Sequence, residues 1–150
     1  MEMMILFRLS LLAILLSSGL SAAAHAETYF IDSRVGDDRA SGTAADRPWR
    51  SLARVNRQPL KAGDRILLVA GSVWREALTI TRSGKKDAPI SVAATGAGPR
   101  PRIDAGGVSA HAVGIINAEY VTLSGLEVTN DAPTPALRHG VLVSAEDRGV

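Results

Sequence analysis

Residues Tyr120 to Asn130 read Y-V-T-L-S-G-L-E-V-T-N, with apolar positions alternating with small or polar ones on both sides of a single glycine. Val121 and Leu123 face one way, Thr122 and Ser124 the other; after Gly125 the alternation restarts with Leu126 and Val128 against Glu127 and Thr129. A period of two, broken by glycine and closed by Asn130-Asp131, predicts strand, kink, strand and turn. Looser versions of the unit predict strands at 28–32, 65–70, 78–81, 89–93, 101–104, 113–116 and 140–144, separated by turns carrying Gly, Pro, Asp or Asn. One helix interrupts the series. Ser51 is a good N-cap after Pro48-Trp49-Arg50, Leu52, Ala53 and Val55 fall on one side, and Pro59 ends the segment. So short a helix is unstable alone, so it must lie against a core through Trp49, Leu52 and Val55. Residues 33–43 are polar and dense in turn formers, and read as loop.

Strands this short and close leave no room for crossover helices, which excludes a doubly wound sheet and leaves an all-β sandwich or solenoid. Spacing favours the solenoid. Ile80, Ile103 and Leu126 lie 23 residues apart, Leu68, Val92 and Ile116 lie 24 apart, and Val121 and Val143 lie 22 apart. Gly84, Gly106 and Asn130 follow the first series as turn residues, and stacked coils require such a near-constant period.

Residues 1–26 read as a signal peptide: Arg8 precedes an apolar run at 9–16, and Ala24-His25-Ala26 has the small-x-small form of a cleavage site. The run is too short to span a bilayer, and no later stretch approaches the ~20 apolar residues a span needs. The expected product is soluble and secreted or periplasmic, about one domain in size. It has no cysteine, so no disulfide stabilises it. The leader removes Glu2 and Arg8, one charge of each sign, leaving the net at +2, which argues against a nucleic-acid partner. Aromatic residues make up only 4% of the chain, so the core is expected to be aliphatic.

Several segments in order carry a resemblance. Tyr29-Phe30-Ile31-Asp32, Gly36-Asp37-Asp38, Ser41-Gly42-Thr43, Pro48-Trp49-Arg50-Ser51-Leu52, Ala62-Gly63-Asp64-Arg65-Ile66 and Gly71-Ser72-Val73-Trp74-Arg75 resemble the entry region of secreted right-handed parallel β-helix proteins of the pectate-lyase-like superfamily. Asp87-Ala88-Pro89-Ile90, Pro101-Arg102-Ile103-Asp104 and Tyr120 to Asn130 resemble their early coils. The resemblance implies a right-handed parallel β-helix with a short N-terminal capping helix. Residues 27–60 would form the entry strand, loop and cap, and 61–150 the first coils, incomplete at the C-terminus, with any catalytic part beyond residue 150. It further implies an acidic polysaccharide as partner, cleaved or epimerised by β-elimination, with Ca²⁺ as a possible cofactor. The alternative is a non-catalytic β-helix that binds glycan or belongs to the cell surface.

β-Elimination needs a cation on the uronate carboxylate and a basic group to take the adjacent proton. Arg138-His139, Arg102 and Glu127 are the candidates, although each also reads as a solvated turn or strand residue. Asp32, Asp37 and Asp38 form the densest carboxylate group, with oxygen donors of the kind Ca²⁺ takes, but Gly-Asp-Asp is also an ordinary turn. His111 and His139 lack the further nitrogen or sulfur ligands of a zinc site. Lys85-Lys86 reads as a solvated loop tip, and Gly96, Gly98 and Gly106-Gly107 read as turn glycines. No nucleophile elbow is present. No catalytic or metal-binding residue is assigned from the sequence.

Overall fold

The computed structural model describes residues 25–134 and 136–145. The proposed leader, except His25 and Ala26, and the segment 146–150 lie outside the described residues. Among the described residues the regular elements are all strands except one short helix. The described elements are β1 (Thr28–Ile31), α1 (Leu52–Asn56), β2 (Arg65–Val69), β3 (Val73–Trp74), β4 (Leu78–Ile80), β5 (Ile90–Thr95), β6 (Arg102–Asp104), β7 (His111–Ile116), β8 (Val121–Ser124), β9 (Glu127–Thr129) and β10 (His139–Ser144). Three sheets result, in the orders β1-β2-β5-β8, β3-β6-β9 and β4-β7-β10, and every pairing is parallel. From β2 onward the chain visits the three sheets in strict rotation.

Alternation along each strand turns one set of side chains toward the space the sheets enclose. On the first sheet Tyr29, Ile66, Val92 and Leu123 stand in register; on the second Trp74, Ile103 and Val128; on the third Leu78, Val113 and Val141. Most of these are buried, and Leu123 and Val128 pack against the buried set. The predicted strands all form, and Gly125, at φ +71, makes the kink that carries the chain from β8 on the first sheet to β9 on the second. The two-residue β3 was not foreseen, because Val73-Trp74 is too short to show a period.

The proposed spacing fails. Ile80 belongs to the third sheet, Ile103 to the second, and Leu126 to the corner after Gly125, so their equal separation compares unlike positions. Residues truly in register recur at 26 and 31 positions (Ile66, Val92, Leu123), 29 and 25 (Trp74, Ile103, Val128), or 35 and 28 (Leu78, Val113, Val141). Only strands must match in a ladder; surface turns can differ in length at little cost.

The segment between β1 and β2 closes the first layer. An edge strand exposes unpaired N–H and C=O groups, and each first-layer edge here finds partners. Phe30 on β1 donates its N–H to the Gly42 carbonyl at 2.7 Å and accepts from the Trp49 N–H at 2.8 Å. Val73 on β3 donates to Ser33 Oγ at 3.1 Å. On β4 the Asn56 amide acts like a strand residue: its Nδ2 donates to the Ala77 carbonyl and its Oδ1 accepts from the Thr79 N–H, both at 2.9 Å. Ser51 caps α1 by accepting from the Arg54 N–H, and Glu76 accepts from the Ala53 N–H. Leu52 and Val55 are buried under the helix.

Trp49 is the centre of this closure. Its ring is 1% exposed, stacks on Tyr29 with centroids 4.8 Å apart, and carries the Arg54 guanidinium 4.1 Å above it. Its indole N–H donates to the Ala40 carbonyl at 3.0 Å. Gly42, at φ +72, lies so close that a Cβ there would come within 2.3 Å of the ring. Removing so large a buried side chain leaves a cavity, so Trp49→Ala is expected to cost about 3–5 kcal/mol in urea unfolding. A midpoint unchanged from the parent would place the ring outside the core.

Candidate functional site

The side chains not used for packing lie on the outer faces and at the turns. On the second sheet Ile103 and Val128 point inward, so Arg102, Asp104, Glu127 and Thr129 point out. Arg102 is paired in register with Glu127, and Asp104 with Thr129. The Arg102 guanidinium approaches Glu127 Oε1 at 3.9 Å, with side-chain exposures of 39% and 53%, a solvated pair of little energetic weight. Asp104 Oδ1 accepts from the Gly106 N–H at 3.0 Å and closes the turn that follows. Strand spacing puts the Asp104 and Glu127 backbones about 8 Å apart on the diagonal. An acid catalyst requires a carboxyl sheltered from water. Glu127 is open and faces a guanidinium, so this surface is suited to hydrogen-bonding a polar ligand.

On the third sheet His111 and His139 are ladder neighbours, a proximity that their 28-residue separation conceals. His111 Nε2 lies 3.1 Å from Thr79 Oγ1, and its ring covers Gly114, where a Cβ would meet Nε2 at 2.5 Å. Among the described residues no group of three His, Cys, Asp or Glu side chains is placed to hold a metal ion.

The remaining candidates are occupied in turns. Arg138 donates from Nε to the Gly107 carbonyl at 3.2 Å and from a terminal nitrogen to the Thr134 carbonyl at 2.7 Å. Asn130 accepts from the Gly107 N–H and donates to the Ser109 and His139 carbonyls, fastening the turn before β10 to the turn before β7. Lys85 and Ala88 exchange backbone hydrogen bonds in a small exposed hairpin. At the last-pass end of the core, Leu123, Ser124, Gly125, Leu126, Val128 and Val141 line an open apolar hollow of about 210 Å³, with no titratable group in it.

Asp32, Asp37 and Asp38 do not converge. Asp32 takes the Arg34 N–H and guanidinium and the Ser72 hydroxyl. Asp37 takes the Arg39 N–H in its own turn. Asp38 takes the N–H groups of Arg50 and Ser51 at 2.9 Å and the Ser51 hydroxyl at 2.6 Å. With their oxygens directed at separate N–H and O–H donors, the three do not fit a shared Ca²⁺. Burial pushes the carboxyls of Asp32 and Asp38 up, but the hydrogen bonds to Arg34 and Ser72 in one case, and to Ser51 and Arg50 in the other, outweigh it and hold both below the ordinary value. A carboxyl depressed on folding adds stability that is complete above its unfolded value and is lost as pH falls through its folded one. Melting temperature is therefore expected to hold between about pH 7 and 5 and to fall below about pH 4, less steeply in Asp38→Asn. A flat profile down to about pH 2.5 would contradict this assignment.

No family model matches the chain. The chain is similar to a lacto-N-biosidase of Bifidobacterium longum subsp. longum, 32% identical over 131 residues, covering 69% of this chain and 8% of that protein. Two crystal structures of a GH136 lacto-N-biosidase from Eubacterium ramulus, native and selenomethionine, superpose on it with a TM-score of 0.68 and 31% identity, over 72% of this chain and 21% of theirs. The chain thus spans only a small part of the proteins it matches. These findings overturn the resemblance to the pectate-lyase-like superfamily, since the relatives are glycoside hydrolases. They also overturn β-elimination on an acidic polysaccharide, and the structure gives the physical reason: Arg102 and Glu127 lie on the second sheet, while Arg138 is held in a turn and His139 begins a strand of the third. No basic group and partner cation converge among them.

Proposed function

We propose that this chain forms the capped scaffold of a secreted or periplasmic carbohydrate-active protein that hydrolyses a glycosidic bond, as its lacto-N-biosidase relatives do. The observation that carries this reading is the 31% identity maintained through a superposition of TM-score 0.68 over 72% of the chain. A carbohydrate ligand also suits the outer faces, where Arg102, Asp104, Glu127 and Thr129 offer donors and acceptors to hydroxyl groups. The described residues supply support and ligand-facing surface, with the acid and base of hydrolysis contributed from elsewhere in the protein.

The finer architecture belongs to the same proposal: a right-handed parallel β-helix with α1 as its N-terminal cap. Rotation among three sheets and parallel pairing throughout support the winding, and crossover connections between parallel strands are overwhelmingly right-handed. Export is supported by the apolar run at 9–16 followed by Ala24-His25-Ala26. The test is hydrolysis of p-nitrophenyl lacto-N-bioside by the protein at its full genomic length. Release of p-nitrophenol with the intact disaccharide is expected. Inactivity on this and on related p-nitrophenyl disaccharides would refute the reading.

A further inference from the structure

Tyr120 combines an unfavourable backbone with an exposed ring. Its φ is +53, in the left-handed region, where the Cβ of a bulky residue crowds the following carbonyl. Asn117, three residues earlier at φ +51, is of a type that tolerates this region; tyrosine is not. The conformation is imposed by a clasp from the preceding pass. Gly84 donates its N–H to the Glu119 carbonyl at 2.9 Å, Ile90 donates to the Tyr120 carbonyl at 3.0 Å, and Glu119 donates to Ser83 Oγ at 3.1 Å. Gly84 is itself required, since a Cβ there would come within 2.5 Å of the Tyr120 carbonyl oxygen.

Glycine or asparagine would meet this backbone requirement without strain, so the fold has no need of a ring at this position. The ring nevertheless projects into water, 50% exposed, whereas Tyr29, Trp49 and Trp74 are buried. Strain kept at a site whose side chain is half open to water points to a function for that side chain. Lys85, Lys86, Asp87 and Glu119 are exposed on the same corner between the third and first sheets. A flat, open aromatic face beside charged groups of both signs matches a pyranose, which has one C–H face for the ring and a rim of hydroxyls for polar partners.

We propose that Tyr120 is a sugar-stacking platform, with Lys85, Asp87 and Glu119 meeting the hydroxyls of the bound oligosaccharide. This rests on the carbohydrate-active reading above and adds a contact point to it. The experiment is titration of the full chain with free lacto-N-biose, followed by isothermal titration calorimetry, which reads parent and variants alike. Tyr120→Asn removes the ring while keeping a residue that accepts the left-handed backbone, so it should fold. Saturable binding by the parent is expected, weakened about tenfold or more in Tyr120→Asn and kept within about threefold in Tyr120→Phe. Absence of saturable binding in the parent, or equal binding by parent and Tyr120→Asn, overturns the proposal. Tyr120→Gly should raise the melting temperature, and a fall would remove the strain on which the inference stands. Binding and hydrolysis are read separately. If the whole protein hydrolyses its glycoside with the same KM after Tyr120→Asn, the platform alone is refuted; if it binds through Tyr120 and hydrolyses nothing, the hydrolase reading is refuted and the platform stands.

Discussion

The constraint on which the structure depends is that a stack of parallel strands has a first layer, and that layer has nothing before it to bond. Residues 28–56 meet this need chiefly with polar groups. Backbone at Gly42 and Trp49 serves β1, the Ser33 hydroxyl serves β3, and the Asn56 amide serves β4. Leu52, Val55 and Trp49 then cover the aliphatic interior. Two carboxylates belong to the same work, because buried Asp32 joins Arg34 to Ser72, and half-buried Asp38 fixes the start of the helix that brings Asn56 to its edge. Charge in this region organises backbone, which is why the densest carboxylate group in the sequence is not a metal site.

Much of the fold was legible in the sequence, and for an identifiable reason. Period-two alternation and turn residues are local signals, so the strands, the kink at Gly125, the capping serine and the burial of Trp49 could all be read from neighbours in the chain. Vertical alignment is non-local. Nothing near Ile80 shows that its ladder partner is Ile115, since the intervening corners carry no fixed length. The count that suggested a constant coil matched aliphatics from different sheets, and it led to a solenoid expectation through spacings that the ladders do not keep.

The chemistry was less legible still. Arg138 looked available in a linear reading because its partner Gly107 lies 31 residues earlier. His111 and His139 looked unrelated and are neighbours. The short motifs of the entry region describe how a parallel stack is begun, a requirement indifferent to any reaction. They therefore pointed toward lyases while the relatives hydrolyse glycosides.

The Asn56 side chain, standing in for a strand, has a consequence for the order of events during folding. Its two bonds reach residues 77 and 79, and β1 must await β2, with Thr28 opposite Arg65. The Phe30 bonds to Gly42 and Trp49 need only residues up to 49, but the first layer is not closed on β4 until residue 79 is present to meet Asn56. Such long-range closure is slow compared with helix or hairpin formation. Until residues 51–56 dock on it, the edge of β4 keeps its N–H and C=O groups open to any competing strand.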